Sequence, residues 1–444
     1  MKTHPMRSAA TAVLASAALL LSACGGSGGS SDPSDVNPEG EIEAREISWL
    51  LSRPADGGVI TAMQQIADEY AEEHPGFELN LITTPDRPSY LQKYETLAAA
   101  NKLPELFDTD ATPFAQKLAD QGRMMDVEEL LTTLDLYEDY RPAALNYQRF
   151  DDGSLHMIPF EFQLEFFWYN TALFEEAGVE VPQTLDDFPA MCRDLREAGI
   201  TPIALDGQDQ WPLERYMAYH PFRTAGPDYV QDLKGADASL SDETGRAAVE
   251  WMHSLGEAEC FDDGFSSTGY ADAQAQFTSG EAAVYNIGTW ELANLATDNL
   301  DAAVRDDIDY FTLPMTGGAA TAANEYVTPS GIGMAVNSAT FDPLVRDFLG
   351  HALERYPEVY AATGALSPTT TVETTIPDNA TPLYQRAVDQ ADDVGEAIAM
   401  PWDTQLDPAS NTRLQQELTL LVQGEITPDE FISTVDDAIR KNAT

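Results

Sequence analysis

Basic residues are scarce in this chain of 444 residues: Lys and Arg number 24 against 75 Asp and Glu, a formal charge of −51. Binding nucleic acid or an anionic lipid surface relies on clustered Lys and Arg. DNA, RNA and attachment to a membrane through a basic face are therefore excluded. Histidine is also sparse. The six are scattered, and no two share a ligand spacing such as H-E-x-x-H, so the sequence gives no case for a metal or another cofactor. Cysteines number three, at 24, 192 and 260. What is present is material for a core: 43% hydrophobic and 9% aromatic residues rule out wholesale disorder. The length leaves room for two or three domains at ~100–200 residues each.

The N-terminus reads as an address. Lys2 and Arg7 precede an apolar stretch from Ala9 to Leu21, shorter than the ~20 apolar residues of a spanning helix and suited to a secretory signal. It ends in Leu21-Ser22-Ala23-Cys24, which resembles the lipobox of bacterial lipoproteins. The resemblance implies a signal peptide over 1–23, cleavage before Cys24 and a diacylglyceryl group on its sulfur. More than one acyl chain is needed for a stable anchor. An ordinary signal peptide with an incidental cysteine is the alternative. Residues 24–45 then form a Gly/Ser/Asp/Pro-rich tether that cannot bury a core. Within it Gly25-Gly26-Ser27-Gly28-Gly29 matches the G-x-S-x-G pattern of serine hydrolases, but neither a strand nor a helix flanks it. Cys192 and Cys260 allow one intramolecular pairing, and thiols outside the cytoplasm tend to pair. Two separately buried thiols are the alternative, because spacing does not establish proximity.

From residue 46 strand and helix periods alternate. EISWLL reads as a buried strand, and Met63, Ile66, Ala67, Tyr70 and Ala71 mark one helical face. FELNLIT and LPELFDTD read as further strands, separated by a helix carrying Tyr90, Leu91, Tyr94 and Leu97. This βαβαβ order implies an open, mostly parallel sheet with helices on both faces. LEFFWYN, ITPIAL and AAVYNIG are strands of the middle section, with helices closed by Gly178 and Gly199 between the first two. Thr427 to Glu430 forms a capping box, followed by Phe431, Val435 and Ile439 on one face.

Four stretches occur in the order and spacing of a known family. They are IPFEFQLEFFWYNTALFEEAG with Pro159, Tyr169, Asn170, Phe174 and Gly178, then GITPIAL with Gly199 and Pro202, FTSGEAAVYNIGTW from Phe277 to Trp290, and SGIGMAVN from Ser330 to Asn337. Together they resemble the family 1 extracellular solute-binding proteins of bacterial ABC importers, of the maltose-binding-protein type. The resemblance implies an α/β periplasmic-binding-protein-like fold of two lobes, each a mostly parallel sheet flanked by helices. A hinge would join them, and the ligand would lie in the cleft. Lobe 1 would hold 46–157 plus 311–340, and lobe 2 would hold 158–310 plus 341–444. It further implies a monomer that captures a sugar or oligosaccharide, hands it to permease subunits, and performs no chemistry. The lipid anchor would place it on the outer face of the cell membrane.

A sugar presents apolar C–H faces and a belt of hydroxyls, which call for aromatic rings, carboxylates, amides and arginine. In open α/β sheets such groups sit on loops after the carboxyl ends of strands. Trp290 follows AAVYNIG, Trp402 and Asp403 lie in MPWDT, and Asp209 and Trp211 follow ITPIAL. Asp110 ends LPELFDTD, Glu161 and Gln163 follow Pro159, and Arg53 lies after the first strand. These are the expected ligand contacts. Trp49, Trp168 and Trp251 lie inside periodic elements and read as core. A non-sugar ligand such as a polyamine or peptide fits the same architecture. A glycan-active hydrolase would need paired carboxylates, for which Glu161 with Glu165 or Asp108 with Asp110 are the candidates.

Overall fold

Alternation along the strands sorts side chains to two faces of each sheet. In Glu165–Asn170, Phe166 and Trp168 enter one apolar cluster while Phe167 and Tyr169 contact another, as the period of two requires. The computed structural model describes residues 35–52, 57–84, 87–327, 330–395 and 398–442, which belong to one compact unit. Its strands are β1 Glu46–Leu50, β2 Glu78–Ile82, β3 Leu106–Thr109, β4 Met157–Pro159, β5 Glu165–Asn170, β6 Thr201–Ala204, β7 Ala282–Gly288, β8 Ile308–Phe311, β9 Tyr326–Val327, β10 Gly333–Val336 and β11 Ile398–Ala399.

The first sheet has the order β2-β1-β3-β10-β4 and the second β6-β7-β5-β8. In the first, β1 runs parallel to β2 and β3, whereas β10 is antiparallel to both β3 and β4. In the second, β6 and β7 are parallel, and β5 is antiparallel to β7 and β8. The sheets are therefore mixed rather than mostly parallel. The physical reason is the path of the chain: β10 returns from the second lobe and fills the slot between β3 and β4 from the opposite direction.

The lobe boundaries also differ from those expected. Leu313, Tyr326 and Val327 pack into the cores of the second sheet, and β10 is the part of 311–340 that joins the first. The helix Pro343–Ala361 buries Leu344, Val345, Phe348, Leu349 and Tyr356 against Trp49, Met63 and Ile66 of the first lobe. Its apolar face matches the uncovered face of β1, so it belongs to lobe 1 and not to lobe 2. The chain thus crosses between lobes three times, near 160–164, 330–332 and 361–366.

These crossings are bonded together. Ser330 Oγ donates to the Glu161 carbonyl at 3.0 Å, Phe162 N to the Leu366 carbonyl at 3.3 Å, and Tyr356 Oη to the Phe160 carbonyl at 2.8 Å. A Cβ on Gly331 would fall 2.6 Å from Glu161 Oε2, so glycine permits the close approach of two crossings.

Cys192, on the helix Phe188–Glu197, forms a disulfide with Cys260, their Cα atoms 5.0 Å apart. The Thr427–Glu430 capping box forms: Thr427 N donates to Glu430 Oε2 at 2.9 Å and Glu430 N to Thr427 Oγ1 at 3.3 Å. Among the described residues no helix is long and apolar enough to cross a membrane. The signal segment, Cys24 and most of the tether lie outside the described residues.

Candidate ligand-binding site

The end of β7 builds the most exposed aromatic surface. Gly288 closes the strand, and Thr289–Glu291 make one helical turn that presents Trp290. A Cβ on Gly288 would lie 1.9 Å from the Trp290 ring, so the indole folds back over a position that only glycine leaves free. Trp290 Nε1 donates to Tyr270 Oη at 2.8 Å, which fixes the ring plane. Trp290 is 37% exposed, and among the described residues it is the only aromatic ring left so open. Trp211, at the start of the helix Trp211–Ala225, faces it with ring centroids 6.4 Å apart and planes at 59°.

The turn is pinned from the hinge. Thr289 N donates to the Leu164 carbonyl at 2.8 Å, and Thr289 Oγ1 donates to Gln163 Oε1 at 2.6 Å. Gln163 is buried and therefore orients the Trp290 turn. Glu161 is likewise a hinge residue, with its carboxylate 3.4 Å from both Tyr360 Oη and Gln163 Nε2.

Beneath the tryptophans runs a line of alternating charge. Glu165 at the start of β5 accepts from Arg215 Nε at 2.9 Å, and Arg215 Nη1 lies 3.5 Å from Asp403 Oδ1. From the other lobe, Arg87 Nη2 meets Asp110 Oδ2 at 2.6 Å. Burial works against the Arg87 charge, but the carboxylates of Asp110 and Asp403 outweigh it and hold the guanidinium above its ordinary range. Asp403 thus acts on one arginine from each lobe. Burial pushes the Glu165 carboxyl up to about 7, with Arg215 pulling in the opposite direction. Arg215 also stacks over Trp211, 5.3 Å from the ring centroid, which joins the charged line to the aromatic surface.

A cavity of about 440 Å³ opens beside this line, with Asn146, Phe150 and Asp151 on one side and Gln231, Lys234 and Gln405 on the other. It does not reach the tryptophan pair. Lys234 and Asp151 form an ion pair across it, and Gln405 Nε2 donates to the Ala111 carbonyl at 3.2 Å.

The structure brings Asp110, Trp211, Trp290 and Asp403 to this region, and Asp209 precedes Trp211 in the same loop, its carbonyl accepting from Trp211 N at 2.8 Å. Arg53 lies outside the described residues. Trp402 departs from expectation: it is 3% exposed and packs on Tyr229 with centroids 6.1 Å apart, inside the core of the second lobe. The short helix Trp402–Gln405 turns Asp403 toward Arg215 while the indole points into apolar packing. Asp110 is likewise not open, being held by Arg87. Trp49, Trp168 and Trp251 are core residues as expected.

The carboxylates considered for hydrolysis are committed elsewhere. Asp108 accepts from Trp49 Nε1 at 3.0 Å and from Ser52 N at 2.9 Å, and Glu165 is bound by Arg215. Sequence reasoning missed Arg87, Arg215 and Tyr270. Arginine's rarity is a usable signal for the first two, since Arg215 falls among buried positions of a helix.

The family model for bacterial extracellular solute-binding protein matches residues 57–354. An ABC transporter extracellular-binding protein of Pyrococcus horikoshii is 24% identical over 348 residues, covering 74% of this chain and 77% of its own. A multiple sugar-binding protein of Streptococcus mutans is 20% identical over 242 residues, 52% of this chain and 54% of that one. Among solved structures, a chitin oligosaccharide binding protein superposes with a TM-score of 0.79 at 22% identity, covering 90% of this chain and 99% of that one. This two-lobed, non-enzymatic chain belongs to the bacterial extracellular solute-binding protein family.

Proposed function

We propose that the protein captures a sugar or oligosaccharide between its lobes and delivers it to the permease of an ABC importer. The observation that carries the sugar reading is Trp290, an open indole held rigid over Gly288 and backed by Trp211. A pyranose stacks its C–H face on such a ring, and the neighbouring carboxylates and arginines hold its hydroxyls. The names of relatives that bind chitin oligosaccharides and multiple sugars support the same class. Asp110, Arg87, Arg215, Asp403, Trp211 and Trp290 are the proposed contacts, with Gln163 and Glu161 positioning them. The body is held to the outer face of the membrane through lipid on Cys24, a reading that rests on the LSAC sequence.

A thermal-shift screen against mono-, di- and oligosaccharides, amino acids, peptides and polyamines tests it. A ligand that binds only the folded state raises the melting temperature with its concentration. A dose-dependent shift from one sugar class is expected; a response confined to peptides or polyamines overturns the sugar.

A further inference from the structure

Both neighbours of Trp290 are buried while the tryptophan itself is open: Thr289 is 6% and Glu291 4% exposed. Thr289 is bonded to the hinge through Gln163. Glu291 is bonded to the helix Tyr270–Thr278. Its Oε1 accepts from Tyr270 Oη, and its Oε2 accepts from Gln274 Nε2 at 2.5 Å and from Asn294 Nδ2 at 3.0 Å. Tyr270 and Gln274 stand four positions apart in that helix, so they share a face and reach the same carboxylate. Three donors already occupy this carboxylate, which fits a support for the turn and not a ligand contact.

The bonds from Glu291 to the indole run in one direction only. An ionised carboxylate accepts and never donates, whereas an indole N–H donates and never accepts. The single proton of the Tyr270 hydroxyl therefore goes to Glu291, and its oxygen is left to accept from Trp290 Nε1 at 2.8 Å. Burial and the Glu291 charge push this hydroxyl above its ordinary range, so it keeps the proton that the arrangement needs. A binding ring works best when its own supports are locked by packing and hydrogen bonds, because less freedom is then lost when ligand arrives. We propose that Glu291 is a positioning residue of the sugar site: through Tyr270 it holds the plane of the Trp290 indole, without touching ligand itself. This rests on the reading of Trp290 as the surface on which the sugar stacks.

Two readouts test it, one without ligand and one with it. In protein labelled with fluorotryptophan, the fluorine resonance of Trp290 is the one lost in Trp290→Phe. Glu291→Gln and, separately, Tyr270→Phe should each shift or broaden that resonance and leave those of the core tryptophans in place. Calorimetry with the trimers of glucose, xylose and N-acetylglucosamine should show the affinity for the tightest of them falling about three- to tenfold in each variant, the cost of ordering one large side chain on binding. The double variant should bind no more weakly than the weaker single one, because both changes act through the same bond. Tyr270→Phe leaves Glu291 with its other two donors and serves if Glu291→Gln fails to fold. An unmoved Trp290 resonance, an affinity equal to that of the native protein, or losses that add in the double variant overturn the positioning role. A moved resonance in protein whose native form binds none of the trimers upholds the support of the ring and overturns the sugar reading.

Discussion

At the residue scale, two tryptophans from similar sequence settings have opposite fates. Trp290 is open and Trp402 is enclosed. Trp290→Ala should weaken ligand binding by more than about tenfold, since stacking on an aromatic ring is a main source of contact, with little change in melting temperature. Trp402→Ala should instead cost roughly 3–5 kcal/mol of stability, as for other buried aromatics truncated to alanine. Ligand titration and denaturant unfolding on each variant separate the two effects. Asp206 supplies a pH signature. Burial, together with the neighbouring Asp209 carboxyl and against the bonds it accepts from the Asp209 and Gln208 amides, pushes its carboxyl from 3.8 up to about 7. The folded state then holds the proton more tightly than the unfolded chain. Its contribution is fully present below the ordinary value and is lost as pH rises through that window. The melting temperature of Asp206→Asn relative to the native protein should therefore climb between 3.8 and about 7. A difference that stays flat with pH would contradict this.

At the scale of elements, apolar periodicity made most strands and helices legible. EISWLL, FELNLIT, LEFFWYN and AAVYNIG all form strands where their apolar patterns put them. Period and length do not encode which edge a strand joins. The slot taken by β10, and its direction, depend on residues 106–109 and 157–159, far away in the chain. The charged line was hidden for the same reason: Arg215 and Asp403 are 188 positions apart. Among 75 acids the committed ones look like the solvated ones. The turn at Gly288 gives an element-level test. Gly288 has ordinary extended angles, φ −79° and ψ 170°, so alanine fits the backbone, but its methyl would collide with the indole. Gly288→Ala should reproduce the binding loss of Trp290→Ala with the tryptophan still in place. The disulfide gives the converse. Replacing Cys192 and Cys260 together by serine should cost on the order of 2–5 kcal/mol and leave ligand affinity unchanged, because the pair lies in the core of the second lobe and not at the site.

For the whole molecule, the hinge determines how binding becomes a signal. Three bonded crossings favour rotation of one lobe on the other about the line through Glu161 over sliding. Arg87 and Asp403 come from opposite lobes, so opening separates an arginine from a carboxylate that acts on it. Small-angle scattering should show a smaller radius of gyration with saturating ligand, and an unchanged profile would count against a clamp. Cys24→Ser should release the protein from membranes, which fractionation of cells reads directly.

The insertion of β10 between β3 and β4 also fixes the order in which the chain can become native. The first lobe begins at residue 46, yet an interior strand of its sheet arrives only at Gly333–Val336, and a helix that seals one face ends at Ala361. Every strand of the second sheet lies earlier, finishing at Phe311. A growing polypeptide can therefore complete the sheet of its later lobe before that of its earlier one. Until then β3 and β4 hold unpaired edges open to wrong partners, and pairings over such separations form slowly. The sheet that starts first is the sheet that finishes last, so truncation after Phe311 and before Gly333 should leave the first sheet without β10 while every strand of the second is present.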